Sequence, residues 1–279
     1  MVKTIVSLIK MVRRTAWLVC LSYCSSSLSV AEPLRLNTVS NDYPPFYSAM
    51  LENKGVVFHM VQQAFQQGGY EIEHQFFPFV RATTLIKNGH AQGIIGVWYR
   101  PEREQWIAFS KPLLSVNIVL YKRSNSRIKF EQMSDLKGYR IGIGRGYANP
   151  QRFSQAQLKT EEASSDKENL KKLLLGRVDL VLISDDVAKY LISLPGSEFE
   201  GQFEVLGEPL SVERFHIGIA KTYDKHQQVI TAFNQGLDTM VNNGELAVLL
   251  QTHGFESNDY WVEQFAAQSS DAIDLDVKE

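Results

Sequence analysis

The chain alternates short apolar segments with segments whose apolar residues recur every three or four positions, and this alternation limits its fold more than any other feature. An apolar run such as residues 93–97 is typical of a strand buried on both faces. Apolar residues at helical spacing, as at Val57, Met60, Val61 and Ala64, predict amphipathic helices. Strands followed repeatedly by helices predict an α/β fold, in which helical crossovers connect the strands of a sheet.

The predicted elements are separated by turn residues, as at Gly68-Gly69 and Asn88-Gly89. Strands are predicted at residues 34–39, 71–77, 93–97, 116–121, 178–183, 203–206 and 216–220. Helices are predicted at residues 56–65, 82–87, 169–175, 186–192, 227–241 and 245–252. A polar stretch at residues 122–127 interrupts the pattern, and a second unit of the same kind begins near Leu136.

Residues 1–31 have the composition of a secretory signal peptide. They carry basic residues and no acidic residue, then an apolar run at residues 16–28, and the small-residue site Ser29-Val30-Ala31 before Glu32. The apolar run is too short and too rich in serine to cross a bilayer as a stable helix. We therefore expect cleavage after Ala31 and release into the periplasm, with Met1 and Met11 both open as the start of translation.

Cleavage would leave 248 residues (279 minus 31) without cysteine, because Cys20 and Cys24 both lie in the leader. A chain without cysteine has no disulfide framework, thiolate metal site or cysteine nucleophile. Residues 21–24 faintly resemble a lipoprotein acylation site, but the bulky Tyr23 stands where a small residue is expected. Free secretion is favoured over a lipid anchor at Cys24.

The charge of the expected mature chain argues against nucleic acid as a partner. Subtracting the four basic residues of the leader from the 29 of the chain leaves 25 against 31 acidic residues, a net charge of −6. A mildly acidic chain without a basic run is a poor nucleic-acid binder. The six histidines show no metal-ligand spacing, so neither a metal site nor a cofactor is expected.

Residues 93–112, with the sequence GIIGVWYRPEREQWIAFSKP, resemble bacterial extracellular solute-binding proteins of family 3. Members of that family have a short strand ending in a Gly-x-Thr loop, then an acid–Arg pair and an aromatic-Ser-x-Pro. Here Gly96, Glu102-Arg103 and residues 109–112 have the matching spacing. Residues 135–146, residues 174–181 and residues 243–255 resemble three further family motifs in the same order.

The resemblance implies a type II periplasmic binding fold, with two α/β lobes joined by two crossing strands and a ligand held between them. It places lobe one at residues 32–118 plus 214–258, lobe two at residues 119–213, and a polar tail, expected to be disordered, at residues 259–279. It also implies a monomer that binds a small carboxylate-bearing molecule and delivers it to an inner-membrane ABC permease. Ligand binding would close the lobes about the crossing strands.

Arg103 is the principal candidate for ligand binding. The resemblance implies that it holds the ligand's carboxylate, because a planar guanidinium donates two parallel charge-assisted hydrogen bonds to such a group. The alternative is a surface ion pair on a solvated loop, since Glu102 and Glu104 flank it. The backbone N–H groups of Gly146 and Tyr147, in a glycine-rich turn, are expected to meet the same carboxylate from the other lobe.

Four aromatic residues are candidates for the walls of the binding cleft: Tyr43, Phe46, Trp98 and Tyr147. Binding clefts combine apolar surface with a few placed polar groups. Packing in the core is the alternative for each ring. Arg81 is a candidate second cation that would suit a dicarboxylate, or else a loop arginine paired with an acid.

The chain departs from the family pattern at two positions. Trp98 stands where the family has Thr or Ser, and Ser184 stands where the family has the aspartate that binds the ligand's ammonium group. Asp185 comes one residue later, and a shift of one residue at a strand end can turn a side chain to the other face. Either Asp185 still reaches the cleft through a bulge, or the ligand is not an amino acid.

Three functions are compatible with these observations. The first is a transport receptor without catalytic activity. The second is an enzyme on the same clamp, since a few family relatives are periplasmic dehydratases of cyclic acids, with Asp185 or Glu213 as the candidate acid or base. The third is a soluble sensory protein that presents its ligand to a receptor, which the sequence does not separate from the first.

Overall fold

The computed structural model describes residues 34–255. The predicted signal peptide, with Cys20, Cys24 and both candidate start positions, lies outside the described residues. So does the predicted polar tail.

The described residues form nine strands and seven α-helices, named here in chain order. The strands are β1 (Leu34–Ser40), β2 (Tyr70–Phe76), β3 (Gly93–Trp98), β4 (Ile107–Phe109), β5 (Ser115–Arg123), β6 (Arg140–Gly144), β7 (Lys159–Ala163), β8 (Leu180–Ser184) and β9 (Phe203–Ala220). The helices are α1 (Val56–Gln67), α2 (Phe79–Lys87), α3 (Gln151–Gln155), α4 (Asp166–Leu174), α5 (Asp185–Ser193), α6 (His226–Asn242) and α7 (Glu245–Thr252).

Strand β9 joins two half-sheets into one, whose strand order is β2-β1-β3-β9-β5-β8-β6-β7, with β4 paired to β9. Strands β1, β2 and β3 pair in parallel, as do β6, β7 and β8, whereas β9 runs antiparallel to β3, β4 and β5. We call the half that contains β1–β4 lobe one and the half that contains β5–β8 lobe two. The predicted α/β class is confirmed.

Two neighbouring segments carry the chain between the lobes. In β9, Arg214 pairs with Ser115 of β5, and the next residue, Phe215, pairs with Trp98 of β3. The segment between β4 and β5 runs beside it, where the Leu113 N–H donates to the Phe215 carbonyl oxygen and the Phe215 N–H donates to that of Leu114. The predicted residue limits of the two lobes stay predictions.

Lobe one encloses its core between the sheet and helices on both faces. Helix α1 buries Val57, Met60, Val61 and Ala64, the residues whose spacing predicted it, and ends at Gly68. Helix α2 buries Ala82 and Ile86 in a second apolar cluster with strand β3. Strand β3 is buried along its whole length, so the packing around it fixes its direction and the place where it ends.

The prediction of two separate strands at residues 203–206 and 216–220 is wrong, because β9 is continuous from Phe203 to Ala220. Gly207 and Pro209, residue types that are rare inside strands, lie between the two predicted segments. In the structure they lie where the register shifts between the pairs Leu120–Leu206 and Ile118–Ser211, so the extra residues bulge out of the ladder. The polar edge strand β7 and the short elements β4 and α3 were not predicted.

Among residues 34–255, no helix is both long enough and apolar enough to cross a lipid bilayer.

Gly96 shapes the end of β3 that faces the other lobe. Its φ of 79° lies in the left-handed region, and the register between β3 and β9 shifts at this residue. The Tyr47 hydroxyl donates to the Gly96 carbonyl oxygen at 3.2 Å. A Cβ atom at this position would lie 2.3 Å from the Tyr47 ring, so only glycine fits between β3 and this tyrosine.

We expect Gly96→Ala to lower the free energy of unfolding by about 2–5 kcal/mol, from roughly 1–2 kcal/mol of backbone strain plus roughly 1–3 kcal/mol of overpacking. Gly244→Ala is the matched control, since Gly244 has a φ of 82° and no atom within 4 Å of the added Cβ. Gly244→Ala should lower the free energy of unfolding only by the contribution of backbone strain, roughly 1–2 kcal/mol. Urea unfolding of both variants measures the difference, and equal losses would contradict the steric role of Tyr47.

Candidate functional site

The candidate site lies between the lobes, at the carboxyl ends of strands from both. Strands β1 and β3 of lobe one end at Ser40 and Trp98, and strands β6 and β8 of lobe two end at Gly144 and Ser184. In open α/β sheets, ligands bind at this edge. The polar and aromatic side chains that follow these four strands therefore meet in one cleft.

Arg103 lies on a 3₁₀ turn, Pro101–Gln105, directly after β3. Its side chain is buried, with 9% of the residue exposed, and its Nη1 donates to the Trp98 carbonyl oxygen at 2.8 Å. The guanidinium carbon lies 5.4 Å from the centre of the Phe79 ring. The carbonyl group and the ring hold the guanidinium in place, and Arg103 borders the cleft between the lobes.

Among the described residues, no carboxylate forms an ion pair with Arg103. Burial, and secondarily the charge of Arg100, lower the pKa of Arg103 to about 10, so the group stays positive at neutral pH. Glu102 and Glu104 are exposed and do not pair with it. The alternative of a surface ion pair on a solvated loop is therefore wrong.

Glu213 is close enough to Arg103 to affect its pKa, but its ion-pair partner is Arg100. Arg100 Nη1 and Nη2 donate to the two carboxylate oxygens of Glu213 at 2.8 and 3.0 Å. The Ser211 hydroxyl donates to the same carboxylate at 2.9 Å. Arg100 Nη2 also donates to the Asn149 carbonyl oxygen of lobe two at 3.3 Å, so this pair links the lobes.

Three of the four predicted aromatic residues line the cleft. Tyr43 meets Trp98 and Tyr147 edge-on, with ring centres 6.5 and 6.0 Å apart. All three rings border both the cavity beside Arg103 and a second cavity in lobe two. The aromatic rings therefore connect the two cavities.

Phe46 does not line either cavity. Its ring packs against Phe215, with ring centres 5.1 Å apart, and is 2% exposed. Its prediction as a cleft residue is corrected to the core of lobe one, because the ring belongs to the buried apolar cluster that also contains Phe215.

Tyr147 links the two lobes through its side chain. Asn41 Nδ2 of lobe one donates to the Tyr147 hydroxyl at 3.0 Å, and that hydroxyl donates to Asp166 Oδ2 of lobe two at 3.4 Å. Gly144 makes room for the ring, since a Cβ there would lie 2.2 Å from it. The Tyr147 N–H donates to the Gly144 carbonyl oxygen, so its predicted role as a free anion donor is wrong in this arrangement. Gly146 lies against Val80 of lobe one at the lobe contact.

Asp166, which sequence analysis missed, is a buried acid at the first position of α4. It borders the second cavity together with Ser184 and the aromatic rings. Burial raises the pKa of this carboxyl to about 7, against the opposing effect of the Tyr147 hydroxyl. Its place after the helix cap Ser165 resembles an ordinary acidic first turn, so the sequence carried no signal of a cleft residue.

The Ser184 side chain is buried in the same cavity, and its hydroxyl has no partner that meets hydrogen-bond geometry. Ser184 lies near the Tyr43 hydroxyl and slightly lowers the pKa of that tyrosine. Burial has the larger, opposite effect and raises the pKa of Tyr43 well above its ordinary value. An unpartnered buried hydroxyl at a strand end is a polar group available to a ligand.

Asp185 is engaged within lobe two. It accepts a hydrogen bond from the Tyr121 hydroxyl at 2.8 Å and forms an ion pair with Lys189 at 2.7 Å, one turn along α5. The strand ends at Ser184, so the next residue turns into the helix instead of following the cleft face. The structure thus brings Ser184 into the cleft and leaves Asp185 on helix α5.

Arg81 is exposed on helix α2 and stacks on Phe77, with its guanidinium carbon 4.6 Å from the ring centre. It borders a groove of about 410 Å³ with Phe79 and Arg145 at the mouth of the cleft. Among the described residues Arg81 forms no ion pair with an acid, and its role as a second ligand cation stays a prediction.

The cleft is nearly closed. The cavity beside Arg103 holds about 20 Å³ and the cavity beside Asp166 about 10 Å³. A water molecule needs roughly 10–15 Å³ measured in this way. A solute the size of an amino acid therefore enters only if the lobes open or the aromatic rings turn. Asn41, Tyr47 and Phe79 also border this cleft and were not predicted to do so.

Within residues 34–255, no three His, Cys, Asp or Glu side chains converge in the way that metal ligands do.

Comparison with known proteins identifies the family. The sequence profile of bacterial extracellular solute-binding proteins, family 3, matches residues 37–256. The arginine-binding extracellular protein ArtP of Bacillus subtilis (strain 168) is 26% identical over 238 residues, which cover 82% of this chain and 90% of that protein.

Solved structures agree in fold. A variant of the arginine-binding protein ArgBP of T. maritima matches with a TM-score of 0.67 and 20% identity, over 78% of this chain and 94% of that one. A histidine kinase sensor domain with similarity to periplasmic binding proteins matches with a TM-score of 0.70 and 15% identity, over 79% of this chain and 96% of that one. The predicted two-lobed type II periplasmic binding fold, with two crossing strands, is confirmed. The family match extends over nearly the whole described chain, and we conclude that this protein belongs to the bacterial extracellular solute-binding proteins of family 3.

Proposed function

We propose that this protein captures a small carboxylate-bearing solute, an amino acid or a close relative, between its two lobes. The observation that carries the proposal is Arg103, a buried guanidinium that borders the cleft and has no carboxylate partner among the described residues. A buried charge without a partner is costly, and a ligand carboxylate would offset that cost. Its planar N–H groups suit two parallel hydrogen bonds to a carboxylate.

Binding requires the lobes to open and close. The lobe contacts at Asn41–Tyr147 and Arg100–Asn149 are each a single hydrogen bond, and within residues 34–255 two chain segments cross between the lobes. Such an arrangement favours hinge motion about the crossing segments. In the open form a solute would reach Arg103, and closure would bring Tyr147 over it from lobe two.

We further propose that the protein is secreted to the periplasm by cleavage of residues 1–31 and acts as a monomer. There it would deliver its solute to an ABC-type permease. The similarity to an arginine-binding extracellular protein supports an amino-acid ligand. The fold it shares with a histidine kinase sensor domain also suits a soluble sensory protein that presents the same ligand.

A catalytic clamp is the second candidate. Glu213 and Asp185, which sequence analysis named as possible acids or bases, are both held in ion pairs. Asp166 gives this candidate its support, because a buried cleft carboxyl with a pKa of about 7 can exchange a proton at neutral pH. Incubating the protein with any bound solute and analysing the solution by mass spectrometry separates the two functions, since only an enzyme forms product.

For the proposed anchor, we expect Arg103→Ala to weaken binding of a carboxylate solute by about 2–5 kcal/mol, because one partner of a buried charge pair is lost. The measurement is a thermal-shift screen of amino acids and dicarboxylates on the mature protein. A ligand at a hundredfold excess over its dissociation constant stabilises the wild type by about 2.7 kcal/mol. The unliganded melting temperature should stay nearly the same, since the lost hydrogen bond is offset by removal of a desolvated charge.

Arg35→Ala is the control for this experiment. Arg35 is exposed at the start of β1 and pairs with Glu73 on the neighbouring strand. It should leave ligand stabilisation unaltered. An unchanged response in Arg103→Ala would rule out Arg103 as the anchor.

For export, we expect the full chain produced in a Gram-negative host to accumulate in the periplasm with Glu32 as its first residue. The mass of the intact protein gives the cleavage site. Cys24→Ser should leave both location and mass unchanged, because the predicted cleavage removes that residue. A mass increase from lipid on Cys24 would contradict free secretion.

A further inference from the structure

Asp166 is a buried carboxyl in the cleft without a positive partner. It is 6% exposed, and no Lys, Arg or His of the described residues forms an ion pair with it. Its side-chain neighbour within hydrogen-bond distance is the Tyr147 hydroxyl, at 3.4 Å. A buried acid with so weak a partner lowers the stability of the fold and is rare in protein cores. Such groups are concentrated at functional sites.

The surroundings of Asp166 suit a positive group. Tyr43, Trp98 and Tyr147 border the same cavity, and the faces of such rings attract ammonium and guanidinium groups. The unpartnered Ser184 hydroxyl borders the same cavity and can accept a hydrogen bond from an N–H donor. The cavity thus combines a carboxyl, a hydroxyl acceptor and aromatic faces.

Arg103 and Asp166 lie on opposite lobes of one cleft without pairing with each other. Arg103 belongs to the cavity on the lobe-one side and Asp166 to the cavity on the lobe-two side, and three aromatic rings are shared between the cavities. Two opposite charges that are buried in one cleft but held apart are complementary to a molecule that carries both charges.

We propose that Asp166 receives a positive group of the ligand, so that the cleft selects solutes with both a carboxylate and an ammonium or guanidinium group. This inference rests on the proposed solute-binding function and adds the second contact to it. It assigns to Asp166 the part that sequence analysis considered for Asp185. Asp185 already has Lys189 and Tyr121 as partners and carries no unmet charge.

The experiment is isothermal titration calorimetry of the mature protein with L-arginine, L-glutamine, L-glutamate and succinate. We expect the wild type to bind at least one of the amino acids and Asp166→Asn to bind it at least about 30-fold more weakly, as for loss of a buried charge partner. Asp185→Asn is the matched control and should stay within about threefold of the wild type, because Asp185 borders neither cavity and pairs with the exposed Lys189. Succinate has no positive group, so Asp166→Asn should not weaken any binding of succinate.

The pH profile of the wild type gives a readout that does not depend on the folding of a variant. The groups that face Asp166 are the hydroxyls of Tyr43, Tyr47 and Tyr147, whose pKa values burial raises, so they stay neutral in this range. The pKa of Asp166 lies at about 7, so its ionised fraction rises between pH 5.5 and pH 7.5. Because the ionised fraction rises roughly 25-fold over that interval, affinity for the bound amino acid should rise by about 25-fold and then level off.

Each outcome decides one claim. An amino-acid affinity that is unaltered in Asp166→Asn, or lost in Asp185→Asn instead, overturns the role of Asp166 and leaves the proposed function in place. A flat pH profile also overturns it. A wild type that binds succinate but none of the amino acids overturns selection for a positive group, whereas a wild type that binds none of the four probes counts against the proposed function itself.

Discussion

The cleft depends on a buried guanidinium that the protein itself does not neutralise. The Trp98 carbonyl oxygen and the Phe79 ring hold Arg103 in place, while the nearby carboxylate of Glu213 is taken by Arg100. Keeping a desolvated cation beside an anion that is already paired costs stability, because the charge has lost its hydration without gaining a partner. The proposed solute carboxylate would remove that cost, and we expect the affinity for such a solute to follow from it.

The fold brings these groups together by a simple topological rule. Parallel strands of both lobes end at the same cleft, so the residues that follow β1, β3, β6 and β8 meet there although they lie far apart in sequence. Strand β9 passes through both lobes and joins them. The aromatic rings of Tyr43, Trp98 and Tyr147 then fill the space between the charged groups and keep water out when the lobes are closed, which strengthens each electrostatic contact.

Much of the fold and half of the site were accessible from the sequence. Helices and buried strands were predicted well because their apolar spacing is local, and Arg103 was found because its motif is local too. Asp166 and Asn41 were missed because their importance depends on contacts across the cleft, with Tyr147 as the shared partner. Phe46 was misplaced for the same reason. An aromatic residue after a turn can face a cleft or a core, and Phe46 packs in the core against Phe215, which is distant in sequence. The prediction of two separate strands within β9 was wrong because Gly207 and Pro209 lie in a bulge of one continuous strand. The local sequence pattern of such a bulge is the same as that of a loop.

The central claim is that Arg103 and Asp166 receive the opposite charges of one small solute. A crystal structure of the mature protein with the amino acid that stabilises it most tests this claim most directly. The account predicts two carboxylate oxygens within about 2.7–3.2 Å of the Arg103 guanidinium, and a ligand nitrogen at similar distance from the Asp166 carboxyl. A ligand bound outside this cleft, or bound in it with its carboxylate turned away from Arg103, would contradict the account.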